Sequence, residues 1–495
     1  MRKAIFFLFL VGPLLSFDLT PGDPRYMLLE EMRVRGLMCP LHPHSKPYRE
    51  SQLGGYLLRR DDPFGRKLHN SIILPYIKRR KSSTFDFWLR PSADTVATLY
   101  FGFGGGAHIG GLEFYVCPFF HFGDDSLYPR GKWIETLYGE YERGYFALKK
   151  GPIQAILGRE RFSFGPSPRY NLLLSGRSFP MDGFYLDYEK GPIKYILYNA
   201  KLDDWVADSD FAWGKYRVKR GEVIKRYFSL HRLELFLFRR LLLAATDAII
   251  YGGPDRSPEL FYMNPFFLNW PYQLLRGTDD NPIVNIEARL YMGEFSAYGE
   301  FLIDDLQTSH SPLKEPNEVG FTLGLEAADP ILLKKTFFLG EYTRVYRWTY
   351  NQLLPWNKPL FLGDPMGHPL GSDFDQFYAE GIYHLNEKIS VRAFFEHTRD
   401  GEGDMFEPWP DSVFPAENFL VGTVEKRTNA GMGFLVLLPE GYVAFEIYSA
   451  GIRNRHQVEG NNENFVGFRL RMKTHASTER MEWFWNLFLS LTGWK

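Results

Sequence analysis

Every second residue is apolar through stretch after stretch of this 495-residue chain, and the residues between them are charged, polar or glycine. Successive side chains of a strand point to opposite faces, so in 283–292 Val284, Ile286, Ala288, Leu290 and Met292 share one face while Asn285, Glu287 and Arg289 occupy the other. Phe295, Ala297, Phe301 and Ile303 likewise oppose Glu294, Ser296, Tyr298 and Glu300; Ile389, Val391, Ala393 and Phe395 oppose Ser390, Arg392 and Glu396; and Val466, Phe468, Leu470 and Met472 oppose Gly467, Arg469 and Arg471. A helix would scatter these charges over its whole circumference. An all-β transmembrane barrel needs this alternation, apolar toward lipid and polar toward the lumen. A soluble β-sandwich or propeller also alternates, but no blade-length repeat is present.

Connection lengths add a second constraint, because outer-membrane barrels join strands by short periplasmic turns and longer extracellular loops. Tight turns fall at 149–151, 190–191, 239–240, 293, 386–388 and 439–440, and long polar or Pro-rich stretches at 159–183, 204–226, 253–282, 304–318, 349–373, 399–426 and 451–464. Counting from a first strand at 85–90 to a last at 465–473 gives about 18 antiparallel strands, an even number that leaves both chain ends in the periplasm.

Arg2 and Lys3 precede an apolar run at 4–15, which reads as a secretory signal cleaved after residue 16. No later run approaches the roughly 18 to 20 apolar residues of a transmembrane helix. Residues 17–84 read as a periplasmic helical prefix with amphipathic helices at 24–36 and 48–60. The run Lys78-Arg79-Arg80-Lys81 reads as its solvated connector. The barrel spans 85–473. The tail 474–495, rich in Trp483, Trp485 and Trp494, is either an interfacial helix or an extra strand. A net charge of −1 excludes a general nucleic-acid binder. The two cysteines, Cys39 and Cys117, form no disulfide scaffold, although a bridge between them would tie prefix to barrel.

One block of the sequence runs Gly158-Arg159-Glu160-Arg161-Phe162-Ser163-Phe164-Gly165-Pro166, then Leu172-Leu173-Leu174-Ser175 and Phe179-Pro180-Met181-Asp182-Gly183. A second holds Leu230-His231-Arg232, Ile250-Tyr251-Gly252-Gly253, Tyr262-Met263-Asn264-Pro265, Asp279-Asp280-Asn281 and Tyr298-Gly299-Glu300-Phe301-Leu302-Ile303-Asp304-Asp305. In order and spacing these blocks resemble the Wzi-type capsule assembly family. The resemblance implies a barrel of the strand number counted above, with periplasmic helices. It also implies that the barrel acts as a non-enzymatic surface lectin associating exported capsular polysaccharide with the outer membrane. The motif positions it marks are Gly158, Arg159, Phe164, Gly165, Ser175, Arg232, Tyr251, Asn264, Pro265, Asp280, Asn281, Asp304 and Asp305. The chain departs from the family pattern at its end, Trp494-Lys495.

The residues themselves offer candidate contacts for a glycan. By the parity of the strands, Lys215, Arg217, Lys219 and Arg220 lie in an extracellular loop, where a cationic cluster attracts acidic polysaccharide or lipopolysaccharide phosphates. The loop aromatics Trp205, Trp213, Trp270, Trp356 and Trp409 offer flat faces for sugar rings. Asp304 and Asp305 are adjacent on a strand and so point apart, which rules them out as one acid/base pair. No Ser-His-Asp order, zinc motif or cofactor fingerprint is recognisable. The segment Cys39-Pro40-Leu41-His42-Pro43-His44 reads as a turn. Expected partners are surface polysaccharide, outer-membrane lipids with lipopolysaccharide, and the barrel insertion machinery. The competing function is a diffusion porin for sugars or other small solutes.

Overall fold

The computed structural model describes residues 24–37, 42–48, 62–68, 70–71, 84–93, 97–109, 111–122, 132–134, 137–306, 316–330, 333–410, 414, 419–438 and 441–477. The signal, Cys39 and with it the proposed bridge to Cys117, the helix expected beyond Tyr48, the basic run 78–81 and the aromatic residues of the tail lie outside them. Twenty strands join one closed antiparallel sheet. Two of them, Lys132–Ile134 and Trp205–Val206, are short segments beside longer neighbours, and eighteen form the wall.

The first six are β1 (Thr84–Ala93), β2 (Ala97–Ile109), β3 (Leu112–Phe122), β4 (Leu137–Lys150), β5 (Ile153–Glu160) and β6 (Met181–Lys190). Then come β7 (Ile193–Lys201), β8 (Val223–Leu237), β9 (Leu241–Gly253), β10 (Asn281–Met292), β11 (Phe295–Asp305) and β12 (Glu318–Ala328). The last six are β13 (Thr336–Val345), β14 (Phe374–His384), β15 (Ile389–Asp400), β16 (Glu425–Leu438), β17 (Gly441–Arg453) and β18 (Glu463–Ser477). Each pairs with its sequence neighbours, and β18 returns to β1 from Thr84↔Ser477 to Leu89↔Met472, so no edge is left open.

The wall is amphipathic in the sense opposite to a soluble protein. On β10 Asn285, Glu287, Arg289 and Tyr291 are buried, whereas Ile286 (51%), Leu290 (39%) and Met292 (48%) are exposed. β11 repeats this, with Ser296, Tyr298, Glu300 and Leu302 inside and Phe295 and Phe301 outside. Only a hydrocarbon surround makes this arrangement favourable, since it satisfies the backbone by closure and puts apolar side chains on lipid.

The interior is filled. Helix α1 (Pro24–Val34) begins with a proline, whose missing N–H costs nothing in a first turn. It ends at Gly36, held at φ +70°, where Gly36 N bonds Arg33 O and Leu37 N bonds Met32 O. The helix does not stand apart from the wall. Tyr26, Leu29 and Met32 are packed with Leu437, and Val34 joins Phe236, Leu242, Tyr291, Tyr298 and Leu339 of the inner face. Arg35 reaches Asp329 at 2.8 Å and His384 Nε2 lies 2.7 Å from Glu31 Oε2. These partners sit at the ends of β12 and β14, beside their short turns, so α1 lies across the short-turn mouth from within. A second short helix, α2 (Pro63–Leu68), lies at the same mouth, where Lys67 faces Glu387.

Candidate functional site: a sealed lumen and its loop cap

From α1 the chain climbs into the barrel. His42 Nε2 meets Gly191 O at 3.3 Å, and three residues on, Ser45–Lys46 form a short antiparallel ladder with Ser163–Phe164. That partner belongs to the loop between β5 and β6, which the alternation placed outside but which folds into the lumen. The cause is its apolar run. Phe162, Phe164, Leu172, Leu173 and Leu174 are all buried against Tyr145, Tyr185, Tyr198 and Phe228 of the inner wall, with the Phe162 ring stacked 4.6 Å from Tyr185. Gly165 is at φ +142°, and a Cβ there would meet Asn171 Oδ1 at 2.3 Å. Asn171 itself accepts from Ser167 N and donates to Ser163 Oγ, pinning the turn.

Beneath this loop the inner faces of β8, β10 and β11 carry an enclosed ionic network. Arg232 donates to Glu234 at 2.8 Å, to both oxygens of Glu287 at 2.6 and 2.8 Å, and to Thr246 at 2.8 Å. His44 Nδ1 lies 2.7 Å from Glu287, and Ser45 Oγ donates to Glu234. Glu300 accepts from Leu172 N and Asn285 Nδ2. Arg289 joins Glu326 at 2.6 Å, Pro166 O at 2.5 Å and Glu30 of α1 at 3.6 Å. Wall, prefix and loop therefore share one set of charges, as the interleaved signs of the inner faces suggested. Between this plug and β14–β18 a polar cavity of about 480 Å³ remains, bordered by Arg169, Glu380, Arg392, Glu396, Glu446 and Arg469.

Burial alone would raise the Glu30 carboxyl, but Arg33, Arg289 and Lys46 together hold it down at about 2, from an ordinary value of 4.5. Its folded pKa is depressed, so its contribution is complete above pH 4.5 and is lost as pH falls toward 2. Acidification across that window should free α1, read as faster hydrogen exchange of its backbone amides at each pH after correction for the intrinsic rate. Corrected exchange that stays flat from pH 5 to 2 would contradict this anchoring.

At the long-loop mouth the connection between β13 and β14 forms a lid. Tyr350 Oη donates to Leu172 O at 2.6 Å, Ser175 N to Met366 O at 3.0 Å, and Tyr350 N to Asp304 Oδ2 at 2.6 Å. Asn281 Nδ2 holds Asn357 O, and Arg226 holds Trp356 O at 2.7 Å. Gly403 N and Val421 N both donate to Asp373 Oδ2, drawing a further loop onto the lid.

The glycan candidates are dispersed over this cap. Trp356 is fully enclosed among Trp205, Phe211 and Tyr216, which corrects its reading as a sugar-stacking residue: its faces are already occupied by protein rings. Trp205 is half-buried beside it, and Trp409 is half-buried against Trp348 and Phe414. Trp213 is 42% exposed at the tip of a hairpin pairing Phe211–Trp213 with Tyr216–Val218. On that hairpin Lys215 faces Asp279 at 3.1 Å and Lys219 faces Asp210 at 2.8 Å; Arg217 bonds the carbonyls of Gly214 and Tyr216, and Arg220 is exposed. Trp270 lies elsewhere, on the outer side of the wall.

The motif positions divide by role. Phe164, Gly165 and Ser175 build the plug, Arg232 faces it from the wall, and Asn281 and Asp304 hold the lid. Arg159 bridges Asp182 and Glu140, and Gly158 at φ +126° would press a Cβ onto Gly144 O at 2.3 Å. Asn264, Pro265 and Asp280 belong to the loop between β9 and β10, where Tyr262 Oη donates to Asp280 and Tyr195 Oη to Pro265 O, and Tyr251 on β9 packs beneath that loop. Asp304 is buried and Asp305 exposed, pointing apart as their adjacency requires. Sequence reasoning missed Glu234, Tyr350 and Asn171, none of which stands in a recognisable pattern. Among the described residues no group of three or more His, Cys, Asp or Glu is placed to hold a metal.

A closed eighteen-stranded wall, apolar outside and packed with protein inside, defines an outer-membrane β-barrel with an occluded lumen. The sequence model of one family, described as capsule assembly protein Wzi, matches residues 97–465, and the chain belongs to that family. Among solved structures it is similar to Wzi of Escherichia coli, described as an outer membrane protein involved in group 1 capsule assembly and a carbohydrate-binding β-barrel. The identity is 12%, over 94% of this chain and all of that one, with a TM-score of 0.63. OprD of Pseudomonas aeruginosa (13% identity, 80% of this chain and 94% of that one, TM-score 0.44) and OccD3 of the same organism (9%, 80% and 90%, 0.45) are more distant. No curated protein matches the sequence.

Proposed function

We propose that this chain holds capsular or another surface polysaccharide at the outside of the outer membrane, as a binding barrel without catalytic chemistry. The supporting observation is that the inner loop and α1 fill much of the lumen among the described residues. Plug and lid occupy the path a solute would take, so the surface left for a large ligand is the loop cap. Family membership agrees with this, as does the carbohydrate binding described for the Escherichia coli relative. On the cap, Trp213 with Arg217, Lys219 and Arg220 combines a free ring face with positive charge, which suits an acidic sugar chain. Trp205 and Trp409, elsewhere on the cap, are lesser contacts. In this reading residues 1–16 are removed on export, the prefix 17–84 enters from the periplasmic side with 42–48 inside the lumen, and the insertion machinery seats the barrel among outer-membrane lipids and lipopolysaccharide.

A strain lacking the protein should shed its polysaccharide into the medium. Retention of the full surface layer would defeat the proposal. With purified protein, Trp213→Ala combined with Arg217→Gln should weaken binding of the strain's own polysaccharide about tenfold, or ~1.4 kcal/mol. The polar cavity of about 480 Å³ beside the plug favours the porin as second reading, which conductance tests directly.

A further inference from the structure

The outer wall is not apolar throughout. On β8 and β9 the outward positions include Ser229, His231 and Asp247, and these share their face with the exposed Leu233 and Leu243 lower on the same strands. Polar groups facing hydrocarbon need partners, and the loop between β9 and β10 supplies them. It folds down over the outside of the barrel, where Ser229 Oγ donates to Tyr262 O at 2.6 Å and His231 Nε2 lies 3.1 Å from the same oxygen. Asn269 N and Nδ2 donate to Asp247 Oδ2 and Asp247 O, at 2.5 and 2.9 Å. Tyr227, Ile249 and Tyr251, also outward, are buried under Phe261 and Tyr262.

The loop carries a helix, α3 (Asn269–Arg276), whose amphipathicity is inverted. Asn269, Tyr272 and Gln273 turn toward protein, and Gln273 Nε2 bonds Thr278 O and Asp280 O. Trp270 (55%), Leu274 (67%) and Leu275 (81%) face away, continuing the exposed Phe266 (90%) and Leu268 (62%). Water would expel such a face, whereas lipid accepts it. Its level is set by Asp247, the register partner of Val284. From there down to Met292, β10 is apolar outward, so α3 lies at the upper edge of the apolar belt and is continuous with it. Next to it, joined through Lys215 and Tyr216 to Asp279, is the basic hairpin. Arg217, Arg220 and Arg276 make no ion pair among the described residues.

We propose that this external loop is a lipid-binding site. The Trp270, Leu274 and Leu275 face enters the acyl chains of the outer leaflet, and Arg217, Arg220 and Arg276 bind the phosphates of a phosphorylated glycolipid in that leaflet. The proposal rests on the barrel lying in the outer membrane; it shares Arg217 and Arg220 with the surface proposed for polysaccharide, whereas the Trp270, Leu274 and Leu275 face belongs to it alone, and the vesicles used in its test hold no polysaccharide. For the test, Cys39 and Cys117 are replaced by Ser in the full-length chain, and Leu274→Cys and Trp213→Cys are each labelled with a polarity-sensitive dye. Both proteins are reconstituted in phosphatidylethanolamine and phosphatidylglycerol vesicles containing bisphosphorylated lipid A, and folding is verified by heat-modifiable mobility. Nitroxide-bearing acyl chains should quench the label at 274 at least fivefold more than the label at 213, with iodide showing the reverse. Iodide reaching both labels equally would overturn the proposal. So would shielding at 274 without nitroxide quenching, which would mean that a second barrel covers the face. In the same vesicles Arg217→Gln, Arg220→Gln and Arg276→Gln together should reduce retained bisphosphorylated lipid A several-fold, and leave dephosphorylated lipid A unchanged. Equal retention of the two lipids by the unaltered protein would overturn the phosphate contact.

Discussion

Deleting residues 24–48 should raise the single-channel conductance of the barrel about tenfold in planar bilayers, because an eighteen-stranded wall is of porin size once its contents are removed. The unaltered protein should show no large steady steps. The deletion takes away α1 from the short-turn mouth, the Ser45–Lys46 strand from its pairing with Ser163–Phe164, and two ligands, His44 and Ser45, from the central charges. The loop 161–180 then loses its support from below, and its apolar run faces water instead of protein. Large steps from the intact protein would favour the porin reading. Unchanged conductance after deletion would mean that the loops alone seal the lumen.

Replacing Arg232 should be the most destabilising single change in the wall. Its guanidinium is fully enclosed between Glu234 and Glu287, both also fully enclosed. Removing one member of such a group leaves its partners as uncompensated buried charge, at a cost of ~3–5 kcal/mol. Arg232→Met should lower the urea midpoint for loss of heat-modifiable mobility accordingly. Adding Glu234→Gln and Glu287→Gln should recover most of that loss, since the stranded carboxylates are then gone. A single variant within about 1 kcal/mol of the parent would show that the network contributes little.

The wall was legible in the sequence because lipid imposes period two on every strand and the two sides of the membrane impose different connection lengths. Hence β10, β11, β15 and β18 were found with their inner and outer faces assigned, and the even strand number followed. The filling of the lumen was not legible. Leu172, Leu173 and Leu174 do not alternate, and a short apolar run inside a Pro-rich loop says nothing of whether it turns inward or lies on the surface. Arg232 could be marked by its place in a family-like block, but its partner Glu287 stands 55 residues away, a distance no local period encodes. Trp356 shows the converse: a tryptophan in a long loop has the composition of a sugar contact, and only tertiary packing reveals that protein rings surround it. The helix α3 was missed because its apolar residues follow no strand spacing, and its orientation has meaning only once the wall is in place.

The ladder between Ser45–Lys46 and Ser163–Phe164 joins a segment rooted at one face of the membrane to a loop rooted at the other. Phe164 N bonds Leu174 O, and Leu172 and Ser175 in the same loop hold Tyr350 and Met366 of the lid. A mechanical linkage thus runs through the bilayer inside a rigid tube, so tension applied to the lid by a tethered polymer would be carried through these hydrogen bonds to the Ser45–Lys46 segment without deforming the wall.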